Sequence, residues 1–192
     1  VNWSHDKDHF RLWGDKIDVQ AKSLWVNGGF DFTAVEGEQP WLSILAGIRL
    51  YDGGDAWRYF PVPLMGKDLA DYLSSAIIAA KSDNATLIYS GNPQKFPYPD
   101  KDGLFEVYAP LTEAIFKFQP DWQPLSEMSI DLDFINDGLW MKAPRAKLGN
   151  VTGTDIEAII EDFSKQHLTV TADVNGEGRD VRDYLNHSPM KD

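Results

Sequence analysis

"MSIDLDFINDGLWMKA", residues 128–143, decides how the chain is read. Ile130, Leu132 and Phe134 alternate with Ser129, Asp131 and Asp133. A period of two places the apolar set on one face of a strand and the polar set, with Glu127, on the other. Asn136-Asp137-Gly138 then interrupts the run. Asn and Gly reach positive φ cheaply, so two antiparallel strands joined by a tight turn are expected here.

Working outward, the same logic assigns a turn at Asn27-Gly28-Gly29 in "SLWVNGGFDFTAV" (23–35) and another at Asp52-Gly53-Gly54 in "WLSILAGIRLYDGGDAWRYFPV" (41–62). "FPYPDKDGLFEVYAPL" (96–111) supplies a fourth, with Pro97 and Pro99 keeping its first arm out of a sheet interior. Two helices are expected. Residues 67–81 set Leu69, Leu73, Ala76, Ile77 and Ala80 on one side at helical spacing. A second opens with the capping box Thr154-Asp155-Ile156-Glu157 and carries the stripe Ile156, Ile159, Ile160 and Phe163. A strand at 168–174 and a short helix at 179–185 close the chain. The expected fold is α+β: a twisted, mainly antiparallel sheet of eight to ten strands built from hairpins, with two or three helices packed on one face. One domain over 1–192 is expected, with a joint near "FQPDWQP" at 118–124.

Composition narrows the function. A formal charge of −12 disfavours nucleic acid and anionic membrane surfaces, and the second half is the more acidic. The absence of cysteine excludes disulfides, thiolate metal sites and cysteine nucleophiles. No stretch approaches the ~20 apolar residues of a membrane helix. A soluble protein is expected, cytoplasmic or secreted after removal of a leader. No cofactor is implied.

Candidate sites are few. "HDKDH" (5–9) would bring His5 and His9 to one face of a helix, where two imidazoles and an aspartate could hold a divalent ion. The plainer reading is a polar arm leading to Phe10, Leu12 and Trp13. Asp131 and Asp133 stand ~7 Å apart along a strand, a spacing that overlaps that of paired acids in glycosidases. A half-exposed antiparallel strand shows the same pattern without chemistry. "DKDG" (100–103) lacks the further ligands of a calcium loop and reads as a turn. "HLTV" (167–170) resembles one half of the signature of the two-histidine phosphoesterases, but it has no second tetrad to pair with. The expected function is that of a non-catalytic acidic protein binding another protein, a basic one suiting its charge, as inhibitors and immunity-type modules do. Trp57, Tyr59, Trp122 and Trp140 would be its anchors and Asp131 and Asp133 its charges. The alternative is a carboxylate-dependent glycoside hydrolase or a carbohydrate-binding module.

Overall fold

Each strand of the chain pairs with the next, and in the computed structural model all ten form one antiparallel sheet in sequence order. Residues 1–60, 62, 66–117, 122–165 and 167–186 are described. The strands are β1 (Asn2–Asp6), β2 (His9–Gln20), β3 (Leu24–Val35), β4 (Trp41–Leu50), β5 (Ile77–Gly91), β6 (Leu104–Phe116), β7 (Leu125–Ile135), β8 (Gly138–Leu148), β9 (Val151–Ile160) and β10 (Thr169–Asn175). Helix α1 (Lys67–Ala76) follows a 3-10 turn at Gly53–Tyr59, and α2 (Gly178–Asn186) follows β10. The fold is a mainly antiparallel ten-stranded open sheet with few short helices, the class read from the hairpin pattern.

The hairpin at Asn136-Asp137 forms as its residues dictate. Asn136 adopts φ 53, and Ile135 stands opposite Gly138. Asn27-Gly28-Gly29, by contrast, makes no turn: β3 runs straight through it. Val26 pairs with Ile48 and Phe30 with Ile44 on one side, while Val19 and Gly14 pair on the other. Two flanking ladders outweigh a local turn preference. Gly28 is needed for another reason, since a Cβ there would stand 2.2 Å from the Leu45 carbonyl oxygen. Asp52-Gly53-Gly54 likewise opens a 3-10 turn, capped by the Asp52 side chain, rather than a hairpin.

The expected helix at 154–163 is largely strand β9. Ile156 and Ile160 lie four apart, a spacing that suits one helical face and one strand face equally. Burial decides: Ile156, Ala158 and Ile160 are the buried set, at period two. α1 stops at Ala76, earlier than its apolar pattern suggests, because Ile77 begins β5. Of the expected joint at 118–124, residues 118–121 lie outside the described residues; on either side of it Phe116 stands opposite Leu125.

The two faces differ. One, here the inner face, carries Ile130, Leu132 and Phe134, all buried. α1 lies over it. Its Tyr72 ring sits 6.3 Å from Phe163, which stacks 5.7 Å from Phe134. The turn after β5, with a cis peptide before Pro97, brings Phe96 and Tyr98 onto the same face, each packed against a neighbouring ring: Phe96 lies 5.6 Å from Phe105 and Tyr98 6.1 Å from Tyr89. Strands spaced ~4.8 Å apart make β5–β9 about 20 Å wide, while a helix is about 10 Å across. Yet Tyr89, Phe105, Leu132, Met141 and Ala158, one from each strand, are all buried. α1, these rings and Phe163 together cover that part of the inner face.

Candidate functional site

One cross-strand row describes the inner face. Ile17, Gly28, Ala46, Leu87, Val107, Phe134, Leu139 and Ile160 stand opposite one another in succession from β2 to β9. No polar side chain interrupts it. The next row, on the outer face, runs Asp18, Asn27, Gly47, Thr86, Tyr108, Asp133, Trp140 and Ile159. Alternation along each strand, kept in register across the sheet, thus builds a continuous apolar trough backed by a largely polar surface.

Cover over the trough is graded: Ile130, Leu132, Phe134, Met141 and Ala158 on β7–β9 are buried, Leu87 and Val107 on β5 and β6 are half-buried, and over β2–β4 most inner-face side chains are half-buried while Leu24 and Ala46 are buried. Phe10, Leu12, Phe30, Phe32, Leu42 and Ile44 share the inner face and are each only half-buried. Phe10 and Phe32 meet edge to face at 6.3 Å. Trp3, opposite Leu12 on β1, extends the surface to the sheet edge and is 69% exposed. Ile17 and Phe30 lean over Gly14, where a side chain would collide with both.

Charge is kept to the other side. On the outer face Arg11 clasps Asp31 at 2.6 Å and lies 4.7 Å over the Trp13 ring. The Arg11 hydrogen bond holds the Asp31 carboxyl below the ordinary carboxylate range. A shallow depression of about 740 Å³ on this face is lined by Asp15, Asn27, Gly29, Asp31, Ser43 and Leu45 among others. Asp131 and Asp133 do not line it.

The residues singled out from sequence do not converge. His5 and His9 belong to the β1–β2 hairpin rather than a helix; His5 stands opposite Phe10 and His9 opposite Asp6, so alternation points them to opposite faces. Among the described residues no group of three His, Cys, Asp or Glu is placed to hold a metal ion. Trp57 and Tyr59 lie exposed on the 3-10 turn, with the Arg58 guanidinium 5.0 Å over the Trp57 ring. Trp122 is partly buried against the core. Trp140 folds over Gly138 on the outer face. Asp131 stands between Pro110 and Lys142, and Asp133 between Tyr108 and Trp140. Burial pushes the Asp133 carboxyl up from its ordinary value. His167 is exposed beyond β9 and closes no helix.

The half-open apolar residues of β2–β4 were missed. Their signal is present in "HFRLW" and "GGFDFTA", which alternate, while "WLSIL" is apolar on both faces apart from Ser43. What sequence does not reveal is that the three runs share one face and that Phe10, Leu12, Phe30 and Phe32 on it stay half-buried.

Comparison with known proteins supplies the context. The family model described as "YhdP protein" matches residues 1–192. The chain is 50% identical over 192 residues to "Intermembrane phospholipid transporter YhdP" of Escherichia coli (strain K12). That match covers the whole of this chain and 15% of the relative, so the chain corresponds to a small part of a much longer protein. No solved structure matches.

These matches correct the functional expectations. An inhibitor or immunity-type binding protein, a glycoside hydrolase and a carbohydrate-binding module are all displaced by similarity to a protein named as a phospholipid transporter. The expectation of a protein partner and no membrane falls with them, as does that of a freely soluble cytoplasmic or secreted protein, since the relative is named for work between membranes. The physical reason is that net charge reports on the solvated outer face, whereas the apolar trough is hidden in the alternation. Among the described residues no helix is long and apolar enough to cross a membrane. The chain belongs to the YhdP protein family.

Proposed function

We propose that this chain forms one stretch of a phospholipid path, with acyl chains lying on the apolar inner face over β2–β4 and headgroups left in water at its edge. The observation that carries this reading is the unbroken apolar row from Ile17 to Ile160, open at its β2–β4 end. The similarity to a phospholipid transporter supports it.

The energetics suit passage rather than storage. Each buried CH₂ gains about 0.8 kcal/mol relative to water. A bilayer offers an acyl chain the same shelter, because lipid tails are as apolar as leucine side chains. A half-open trough therefore matches the bilayer without exceeding it, and a lipid can leave as readily as it enters. The outer face, with Arg11, Asp31, Asp18 and Asn27, keeps the back of the trough wetted.

The test replaces inner-face residues with charge. Phe30→Asp and Ile44→Asp should remove most of the phospholipid that copurifies with the chain, quantified by mass spectrometry. Leu45→Asp, on the outer face and already 66% exposed, serves as the control and should leave it unchanged. Equal lipid content in all three variants would overturn the reading.

A further inference from the structure

Residues 51–76 are foreign to the pattern of the rest. β4 and β5 are hydrogen-bonded neighbours from Leu42 opposite Gly91 to Leu50 opposite Ser82, so the sheet is complete without the segment between them. That segment ends in α1, which lies in the trough.

Its hold there is weak in three respects. Among its described side chains only Ala70, Leu73 and Ala76 are fully buried, and Tyr72 is partly so. Its N-cap is Gly66, at φ 81, with no side-chain cap. The Tyr72 hydroxyl is buried and has no hydrogen-bond partner among the described residues. A buried, unpaired hydroxyl favours any arrangement that returns it to water. The other end is anchored: the Ile77 amide donates to the Leu73 carbonyl, and the Lys117 amide donates to the Ala76 carbonyl at 2.8 Å. α1 is thus tethered at β5 and loosely seated toward Gly66.

We propose that the trough beneath α1 is a second acyl-chain site, filled by the helix when no lipid is present and vacated when an acyl chain takes its place. The proposal rests on reading β2–β4 as an acyl-binding surface. The floor is one row: Ile17, half-buried, continues through Ala46, Leu87 and Val107 to Phe134, which is buried beside the rings that α1 packs on. An acyl chain advancing along it meets α1 next. It can cover the same carbon surface without burying a hydroxyl.

The absence of cysteine makes the test direct. A chain carrying Tyr72→Cys and Phe163→Cys, whose native rings lie 6.3 Å apart, is joined by a short bis-maleimide. The probe is a phosphatidylcholine with a pyrene-labelled acyl chain, delivered from neutral vesicles. The joined form should bind about half the probe held by the same variant left unjoined. In the native chain the probe should speed amide exchange at residues 70–76 by roughly tenfold or more. Tyr72→Phe needs no linker, seats the helix more firmly and should lower probe uptake severalfold. Equal uptake by joined and unjoined forms, with exchange at 70–76 unchanged, would overturn the second site and leave the β2–β4 surface standing. No uptake by any form, the native chain included, would overturn both.

Discussion

The two halves of this sheet are made alike and finished differently. β2–β4 and β5–β9 present the same alternation and share the same cross-strand rows. Over β5–β9, α1, the Phe96–Tyr98 turn and Phe163 seal the inner face, and Tyr98 reaches the Tyr89 hydroxyl at 2.6 Å in the interior. Over β2–β4 the cover is partial: Leu24 and Ala46 are buried, but Phe30, Phe32 and Ile44 stay half-buried. The covered half thus supplies most of the stability, and the open half has apolar surface free for a ligand.

The largest expected effect tests that division on one residue type. Ile130→Ala, at a site 4% exposed, should cost about 2–5 kcal/mol in urea unfolding. Ile44→Ala, half-buried on the open face, should cost only about 1 kcal/mol. Equal losses would break the comparison. Glycines sharpen it next. A Cβ at Gly91 would meet the Tyr98 hydroxyl at 2.6 Å, and Tyr98 is itself enclosed, so Gly91→Ala should cost about 1–3 kcal/mol in the same assay. Gly47, on the outer side of β4, has open space around it, and Gly47→Ala should be neutral or slightly stabilising.

A smaller effect has the opposite sign. Burial pushes the Tyr72 hydroxyl up to about 12, in keeping with its lack of a partner. Tyr72→Phe should raise stability by about 1 kcal/mol, seen as a higher urea midpoint at unchanged slope. The smallest depends on pH. Asp133 has a folded value above its unfolded one because burial disfavours the charge, and its Oδ1 has no partner among the described residues. The folded chain therefore holds that proton more tightly, and the stability it contributes is lost as pH rises through the folded value. Asp133→Asn should stabilise the chain near neutral pH by less than about 1 kcal/mol. That gain should vanish as pH falls below the ordinary carboxylate range, which paired thermal melts would show.

Legibility varied with how local each cause was. The β7–β8 hairpin was readable because its turn residues and its alternation lie within sixteen positions of one another. β10 and α2 were legible for the same reason. The strand through Asn27-Gly28-Gly29 was not, because the partners that hold it straight are β2 and β4. β9 misread as a helix because Ile156 and Ile160 fit both periods, and only burial chooses between them. Of the candidate site, the acidic strand at Asp131 and Asp133 was visible but lies on the outer face, away from the trough. The Phe30 and Ile44 surface was invisible as a site because a half-open apolar face and a closed one are written with the same residues.

By itself the sequence determined the antiparallel class, the faces of β7 and the charge that keeps the outer surface in water. Those depend on neighbours in the chain and on composition. Tertiary structure alone decided that eight strands share one apolar row and that α1 covers only part of it. Register and coverage depend on residues far apart in the chain, where a shift of one position exchanges the faces and a single helix decides which carbon surface meets water.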